Sequence, residues 1–340
     1  MTRNTIYLFM TLIALSSCFK EDDPLPVSPL KETTVELNQY YQFQAYFDLG
    51  KGETVASNDR NIWDLGFECK DSSWHITLNS SAFMLAANTG QTDFESVTDT
   101  TGLDWKYDKS DGNPDSTAIG NWFLLTGNDT VYKNNVYVIN LGMTHLGVPR
   151  GLKKIVFTKV DKKQYALKYA DLNGENYQEF IIEKKPGLNY TGFSFEGLGS
   201  QLTVEPPSNT WDLLFTQYTT LIFTDEGEPY PYLLNGVLLN YGKVEVVLDS
   251  LVPFGEIDLH YAQKQEFSVN KDAIGYEWKY LEGDPTIGGS YYYKVNPNEE
   301  HPNWTYIIKN RNGVYFKLMF TRFYNDFGDK GYPTFAFQVL

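Results

Sequence analysis

Apolar and polar residues alternate over short stretches along most of the chain, and this period of two predicts strands. Residues 40–47 read as a strand ahead of the turn at 50–53, and 74–79 alternate again. Residues 136–141 make another strand. Residues 151–160 and 164–170 form a hairpin around Asp161-Lys162-Lys163. The pair Asn173-Gly174 supplies the positive φ of a tight turn into 177–183, which completes a β-meander. The pattern continues at 232–240 and 244–248. The clearest hairpin joins 304–309 to 314–320 through Asn310-Arg311-Asn312-Gly313, and 331–339 is a closing strand. No segment sustains a 3.6-residue period, and only 249–273 has room for a short helix. The pattern predicts an all-β, antiparallel protein with long surface loops. The longest of these, 88–120, is dominated by Asn, Gly, Thr, Ser and Asp and is the segment expected to move or to meet a partner.

One phrase occurs twice. Trp63-Asp64-Leu65-Gly66-Phe67 and Trp211-Asp212-Leu213-Leu214-Phe215 each follow a polar loop and lead into a β-rich run. On a strand the Trp, Leu and Phe share one face, and the Asp points the other way, towards solvent or a turn. Trp63, Phe67, Trp211 and Phe215 are read as core anchors, and Asp64 and Asp212 as groups that fix the adjoining turn. The duplication implies two related halves. The Pro-, Gly- and Ser-rich stretch 186–209 is the expected seam, which gives a β half at 37–200 and another at 201–340.

Composition adds to this picture. The chain has 340 residues and is 16% aromatic, with 25 Tyr and 22 Phe, which favours strands. Its net charge is −15, so it has no electrostatic footprint for a phosphate backbone and nucleic acid is excluded as a partner. Two cysteines, Cys18 and Cys69, are too few for a disulfide framework. Cys69 reads as a small buried apolar residue.

The amino terminus is an address. Residues 1–17 carry one Arg and an apolar run too short to span a bilayer, which reads as a signal peptide. Leu15-Ser16-Ser17-Cys18 resembles a bacterial lipobox, which makes Cys18 the lipidated residue and anchors the chain to a membrane. Lys20-Glu21-Asp22-Asp23 resembles a surface-export signal, and the Pro-rich remainder of 18–36 is a stiff tether.

Catalytic signatures are missing. There is no G-x-S-x-G, H-E-x-x-H or phosphate-binding loop, and the four histidines, His75, His145, His260 and His301, form no short-spaced metal pair. The expectation is a binding protein with no enzymatic activity and no local metal motif.

Two regions carry a family resemblance. Y-Y-Q-F at 40–43, G-K-G-E-T-V at 50–55, W-D-L-G-F and H-I-T-L-N at 75–79 resemble the start of the HmuY family. Residues 306–324 and 331–337 look like the same family's final hairpin and last strand. The resemblance implies an all-β lipoprotein on the outer membrane of Bacteroidetes, exposed at the cell surface. It further implies haem as the ligand, held by two axial side chains and passed to a TonB-dependent outer-membrane transporter. By position His260 corresponds to the first axial ligand. Tyr280 and, less closely, His301 stand near the second, and Met84, Met143 and Met319 leave a thioether alternative open. Two other readings remain: a non-haem accessory subunit of an outer-membrane transport or assembly complex, and a glycan-binding surface protein whose aromatic rings stack on sugars.

Overall fold

The computed structural model describes residues 28–126, 129–224, 226–284, 289–296 and 303–340. Cys18, the signal peptide and His301 lie outside the described residues. The first strands are β1 Lys31–Thr34, β2 Phe43–Asp48, β3 Glu53–Asp59, β4 Leu65–Glu68, β5 Ile76–Leu78 and β6 Leu85–Asn88. Next come β7 Phe123–Thr126, β8 Asp129–Tyr132, β9 Tyr137–Asn140, β10 Leu152–Val160, β11 Gln164–Asp171 and β12 Gln178–Glu183. They are followed by β13 Tyr190–Ser194, β14 Ser200–Leu202, β15 Leu213–Phe223, β16 Pro229–Leu239 and β17 Glu245–Asp249. The last are β18 Lys279–Gly283, β19 Tyr291–Val295, β20 Thr305–Lys309, β21 Tyr315–Tyr324 and β22 Lys330–Val339. The single α-helical turn among the described residues, α1, is Leu259–Ala262, inside the stretch read as having room for one. The protein is all-β and antiparallel, as the alternation predicts.

The sheets come in matched sets. One five-stranded sheet has the order β12-β11-β10-β9-β6, and the other has β1-β22-β21-β20-β17. Two four-stranded sheets run β14-β13-β4-β5 and β16-β15-β2-β3, and two ribbons are β7-β8 and β18-β19. Aligning β4 with β15 and reading on along the chain reproduces every neighbour, ribbon included. The first unit is β4 to β14. The second is β15 to β22, completed by β1 to β3 from the amino-terminal end. Residues 37–59, grouped by the sequence with 37–200, and Lys31–Thr34, read as part of the 18–36 tether, therefore hydrogen-bond within the sheets of the second unit: β1 pairs β22 and β2 pairs β15.

Each unit has its own core. Leu65, Phe67, Tyr165, Leu167 and Phe193 belong to one cluster, and Phe47, Leu213, Phe215, Phe335 and Phe337 to another. Alternation directs them: in β11, Tyr165, Leu167 and Tyr169 enter the first core, while Ala170 faces a small cluster with Val156. Aromatic edges dominate the second core, with Phe47 meeting Phe335 and Phe337 edge-on at 5.2 and 5.9 Å. In β16 the prolines Pro229 and Pro231 lie on the sheet edge, where a missing N–H costs no ladder bond.

The loop 88–120 departs from its expected character. Phe94 and Val97 are buried beneath β10 and β11, Ala118 and Ile119 enter the first core, and Asp108 is buried. Four apolar anchors spaced along a polar segment leave no periodic signal, so the sequence reads as free loop where the chain is packed.

Candidate functional site

The repeated phrase builds the same corner in both units. In the first, the Asp64 amide donates to Phe193 O at 2.7 Å, and the Phe195 amide donates to Asp64 Oδ2 at 2.7 Å. In the second, the Asp212 amide donates to Phe47 O at 2.8 Å, and the Leu49 amide donates to Asp212 Oδ2 at 2.9 Å. An asparagine closes each corner. Asn79 Nδ2 donates to Arg60 O and Trp63 O, and Asn240 Nδ2 donates to Ser208 O and Trp211 O. A guanidinium from a hairpin loop then meets each carboxylate, Arg150 on Asp64 at 2.7 Å and Arg311 on Asp212 at 2.7 Å. Gly142 (φ 67°) lets the Arg150 loop approach, since a Cβ there would sit 1.9 Å from Ala82 O.

Two parts of the motif reading change. Asp64 and Asp212 fix their turns, but each is wholly buried and neither faces solvent. A carboxylate with amide donors and a guanidinium is satisfied in the interior, which alternation alone does not reveal. Leu65, Phe67, Leu213 and Phe215 enter the cores as expected, whereas the two Trp residues do not join them. Each precedes its strand, so the pleat does not fix its direction. The Trp63 ring comes within 3.5 Å of a Cβ built on Gly66, on the face opposite Leu65. Trp211 packs edge-on against Tyr46 at 5.0 Å.

Both indoles line a cavity of about 1010 Å³ between the units. Its walls come from equivalent positions. Gly66 pairs with Gly192 across β4 and β13, and Leu214 pairs with Tyr46 across β15 and β2; all four line the space. Buried Asp108 takes amide hydrogens from Leu78 at 2.7 Å and Ala118 at 2.8 Å, and burial pushes its carboxyl up to about 6. Glu205 accepts from the Tyr190 amide at 2.9 Å and from Asn189, and burial raises it too. Lys271 reaches the same cavity from the second unit, and burial lowers its amine. Cys69 lies on the wall, buried, with Sγ 3.2 Å from Thr191 Oγ1 and its thiol raised by burial, so it is a packing residue. Of these cavity groups only the residues of the repeated phrase and Cys69 carried a sequence signal.

A second cleft of about 780 Å³ lies between the β18-β19 ribbon and β21. Tyr280, Tyr293, Phe323 and Tyr324 line it, with Lys294 and Arg322. The Tyr293 amide donates to the Tyr324 hydroxyl oxygen at 2.8 Å. The Tyr280 hydroxyl has no hydrogen-bond partner among the described residues. Beneath, the Lys279 ammonium is buried against Trp278, Phe323 and Tyr293, and burial lowers it to about 7.

The sequence candidates do not converge on one site. His260 is exposed on α1 and lines neither cavity, while Tyr280 lies in the second cleft. Met84 is buried in the first core, Met143 is exposed beside the Arg150 loop, and Met319 is half-buried on β21. His75 is held by Glu68 at 2.7 Å and by Ser73. Among the described residues, no group of three or more His, Cys, Asp and Glu is placed to hold a metal ion. Nor is any described helix long and apolar enough to cross a membrane.

Comparison with known proteins gives one family. The model of the HmuY protein family matches residues 40–337. No curated protein matches the chain. Among solved structures, apo PinO from Porphyromonas gingivitis is similar at 9% identity and TM-score 0.30, over 92% of this chain and 99% of that one. The apo HmuY analogue of Tannerella forsythia is similar at 12% identity and TM-score 0.20, over 92% and 98%. A putative HmuY-like haem-binding protein of Bacteroides vulgatus is 14% identical at TM-score 0.18, over 55% of this chain and 91% of that one. At these identities and scores only the family match bears on what the chain is.

Proposed function

The chain belongs to the HmuY family, and from that premise we propose a lipid-anchored outer-membrane protein, exposed at the cell surface, that binds haem. It works as a binder without enzymatic activity and hands its ligand to a TonB-dependent transporter. The observation that carries the reading is the free hydroxyl of Tyr280 in an aromatic cleft of about 780 Å³. Tyrosine oxygen is an established axial donor to haem iron. Tyr293, Phe323 and Tyr324 offer ring surface to a porphyrin, and the cleft carries two cations for propionates, Lys294, paired with Glu282 at 2.8 Å, and Arg322, paired with Asp326 at 3.4 Å. No histidine or methionine lines this cleft among the described residues, so the fit is to one protein donor on one face of the iron. Haem bound there would supply a redox-active iron centre; the protein's part is to hold and shield it.

Titration of haemin into the full chain tests this. A Soret shift is expected, weakened about tenfold in Tyr280→Phe and unchanged in His260→Ala. A spectrum lost in His260→Ala and kept in Tyr280→Phe moves the iron to the histidine. No shift with ferric or ferrous haem ends the haem reading. Purification from native membranes tests the transporter and the anchor at Cys18, because a co-eluting barrel and a lipidated amino terminus are both expected.

A glycan-binding reading has one observation of its own. Tyr230, Tyr232, Tyr291 and Tyr292 are 38–50% exposed, a set of rings available for stacking on sugars. Retention on an immobilised polysaccharide, lost when Tyr232 and Tyr292 become Ala, would favour it over haem.

A further inference from the structure

The cavity between the two units is separate from the Tyr280 cleft, and no lining residue is common to both. We propose that it binds an organic anion with an aromatic or aliphatic body, its acid group on Lys271 and its body between the two units.

Volume and position come first. A space of about 1010 Å³ is large enough for a drug-sized molecule, and junctions between units are where such sites form. The walls are indole, phenol and aliphatic surface from equivalent positions of both units. Trp63 and Trp211 each leave a buried indole N–H without an acceptor.

Charge sets the chemistry. The buried and half-buried carboxylates of the lining are already served by the protein: Asp108 by two backbone amides, Glu205 by the Asn189–Tyr190 backbone and Asn189 Nδ2, and half-buried Glu68 by His75 and Ser73. The Lys271 ammonium, by contrast, has no hydrogen-bond or ion-pair partner among the described residues, although it shares the cavity with Asp108 and Glu205. Three further lysines lining the space, Lys70, Lys109 and Lys162, are exposed around it. Counting Lys243, five lysines face four carboxylates, in a chain where 43 acidic residues outnumber 28 basic ones. The unmet groups of the lining are a cation and two indole N–H donors, so the complementary ligand is an anion. A hydrophilic anion such as free phosphate would leave the aromatic walls uncovered, which is why the body must be apolar.

The probe is 2-naphthoate, with 2-naphthamide as its uncharged match, titrated calorimetrically into the full chain. Naphthoate is expected to bind at least about tenfold more tightly than the amide. Lys271→Met should erase that preference, and Tyr280→Phe should leave it intact. Equal binding of acid and amide, binding of neither, or a preference that survives Lys271→Met overturns the proposal. Should Lys271→Met fail to fold, Leu214→Trp places a further ring in the space and is expected to abolish naphthoate binding; undiminished binding there overturns it equally. Because the haem test reads Tyr280 and this one reads Lys271, either can fail alone.

Discussion

The two Trp-Asp-Leu-x-Phe corners share one set of backbone hydrogen bonds and differ in charge. At the first, Asp64 has Arg150, with Ser194 on the neighbouring strand, and Arg60 is buried nearby with no carboxylate at ion-pair distance among the described residues. At the second, Asp48 stands where the first has Ser194, and Arg311 bridges it at 2.9 Å while holding Asp212 at 2.7 Å. Ser208 takes the place of Arg60, three residues before the Trp. The first corner therefore has two cations for one anion and the second one cation for two. What the units keep is the pattern of amide, carbonyl and asparagine bonds; the ion pairs need only give each buried carboxylate a cation.

The largest expected effect follows from that asymmetry. Arg311→Met strands two buried carboxylates and should cost about 4 kcal/mol in urea unfolding. Arg150→Met strands only Asp64, and it also relieves Arg60, whose guanidinium Arg150 repels. Its cost should be nearer 2 kcal/mol, roughly half. Equal losses in the two variants would mean that charge stoichiometry plays no part.

Asp108 sharpens the contrast between a clamped carboxylate and one without a cation at ion-pair distance. Its carboxyl is pushed up to about 6 by burial, opposed by the Ala118 and Leu78 amides and by Lys271, with Tyr190 and Glu205 in the same cavity. A carboxyl raised in the folded state stabilises below its unfolded value near 4, and that stability is lost as pH rises through 6. About 2 kcal/mol should therefore disappear between pH 4 and pH 7. Asp108→Asn should remove that component from the urea midpoints at the two pH values. An unchanged pH slope in the variant would show that Asp108 is ionised as easily folded as unfolded.

Much of the fold was legible because strands and tight turns are local. The hairpin at Asn310-Arg311-Asn312-Gly313 and the meander through β10, β11 and β12 follow from alternation and turn chemistry. The duplicated phrase marked two units correctly. The permutation that sends β1 to β3 into the second unit is carried by pairings such as Lys31 with Phe337, about 300 residues apart, which no local pattern encodes. The corners were half legible. Leu78-Asn79 and Leu239-Asn240 repeat in the sequence and might have been matched, but Arg150 and Arg311 lie at different distances from their Asp partners. The cavity was illegible for the same reason, since Asp108, Glu205 and Lys271 meet from three loops.

The asparagines test whether the shared part of the corner is equivalent in the two units. Each carboxamide donates to two carbonyls, that of the Trp and that of the residue three before it. Asn79→Ala and Asn240→Ala each remove the carboxamide donor from two carbonyls, with only a 3.4 Å bond from Ser81 Oγ left to Arg60 O, for about 2 kcal/mol apiece. Asn240 also accepts from Asn189 Nδ2 at 3.0 Å, whereas Asn79 Oδ1 accepts from Ser81. The losses should agree within about 1 kcal/mol, and a much larger gap would mean that only one corner depends on its asparagine.

The smallest effect has the opposite sign. Arg60 is 2% exposed, its Nε and Nη1 lack partners, and burial lowers its guanidinium to about 10. The cost of keeping that cation dry is not returned by an ion pair: Asp59 attracts it without reaching ion-pair distance, and Asp64 is taken by Arg150. Met fills a similar length without charge, and Asn79 bonds the backbone carbonyl of residue 60 and not its side chain, so the corner survives the change. Arg60→Met should therefore stabilise the protein by about 1 kcal/mol, where the same substitution at Arg311 destabilises it by about 4 kcal/mol. A loss of stability in Arg60→Met would show that the surplus cation of the first corner has a counter-charge after all, and the two corners would then be electrically alike.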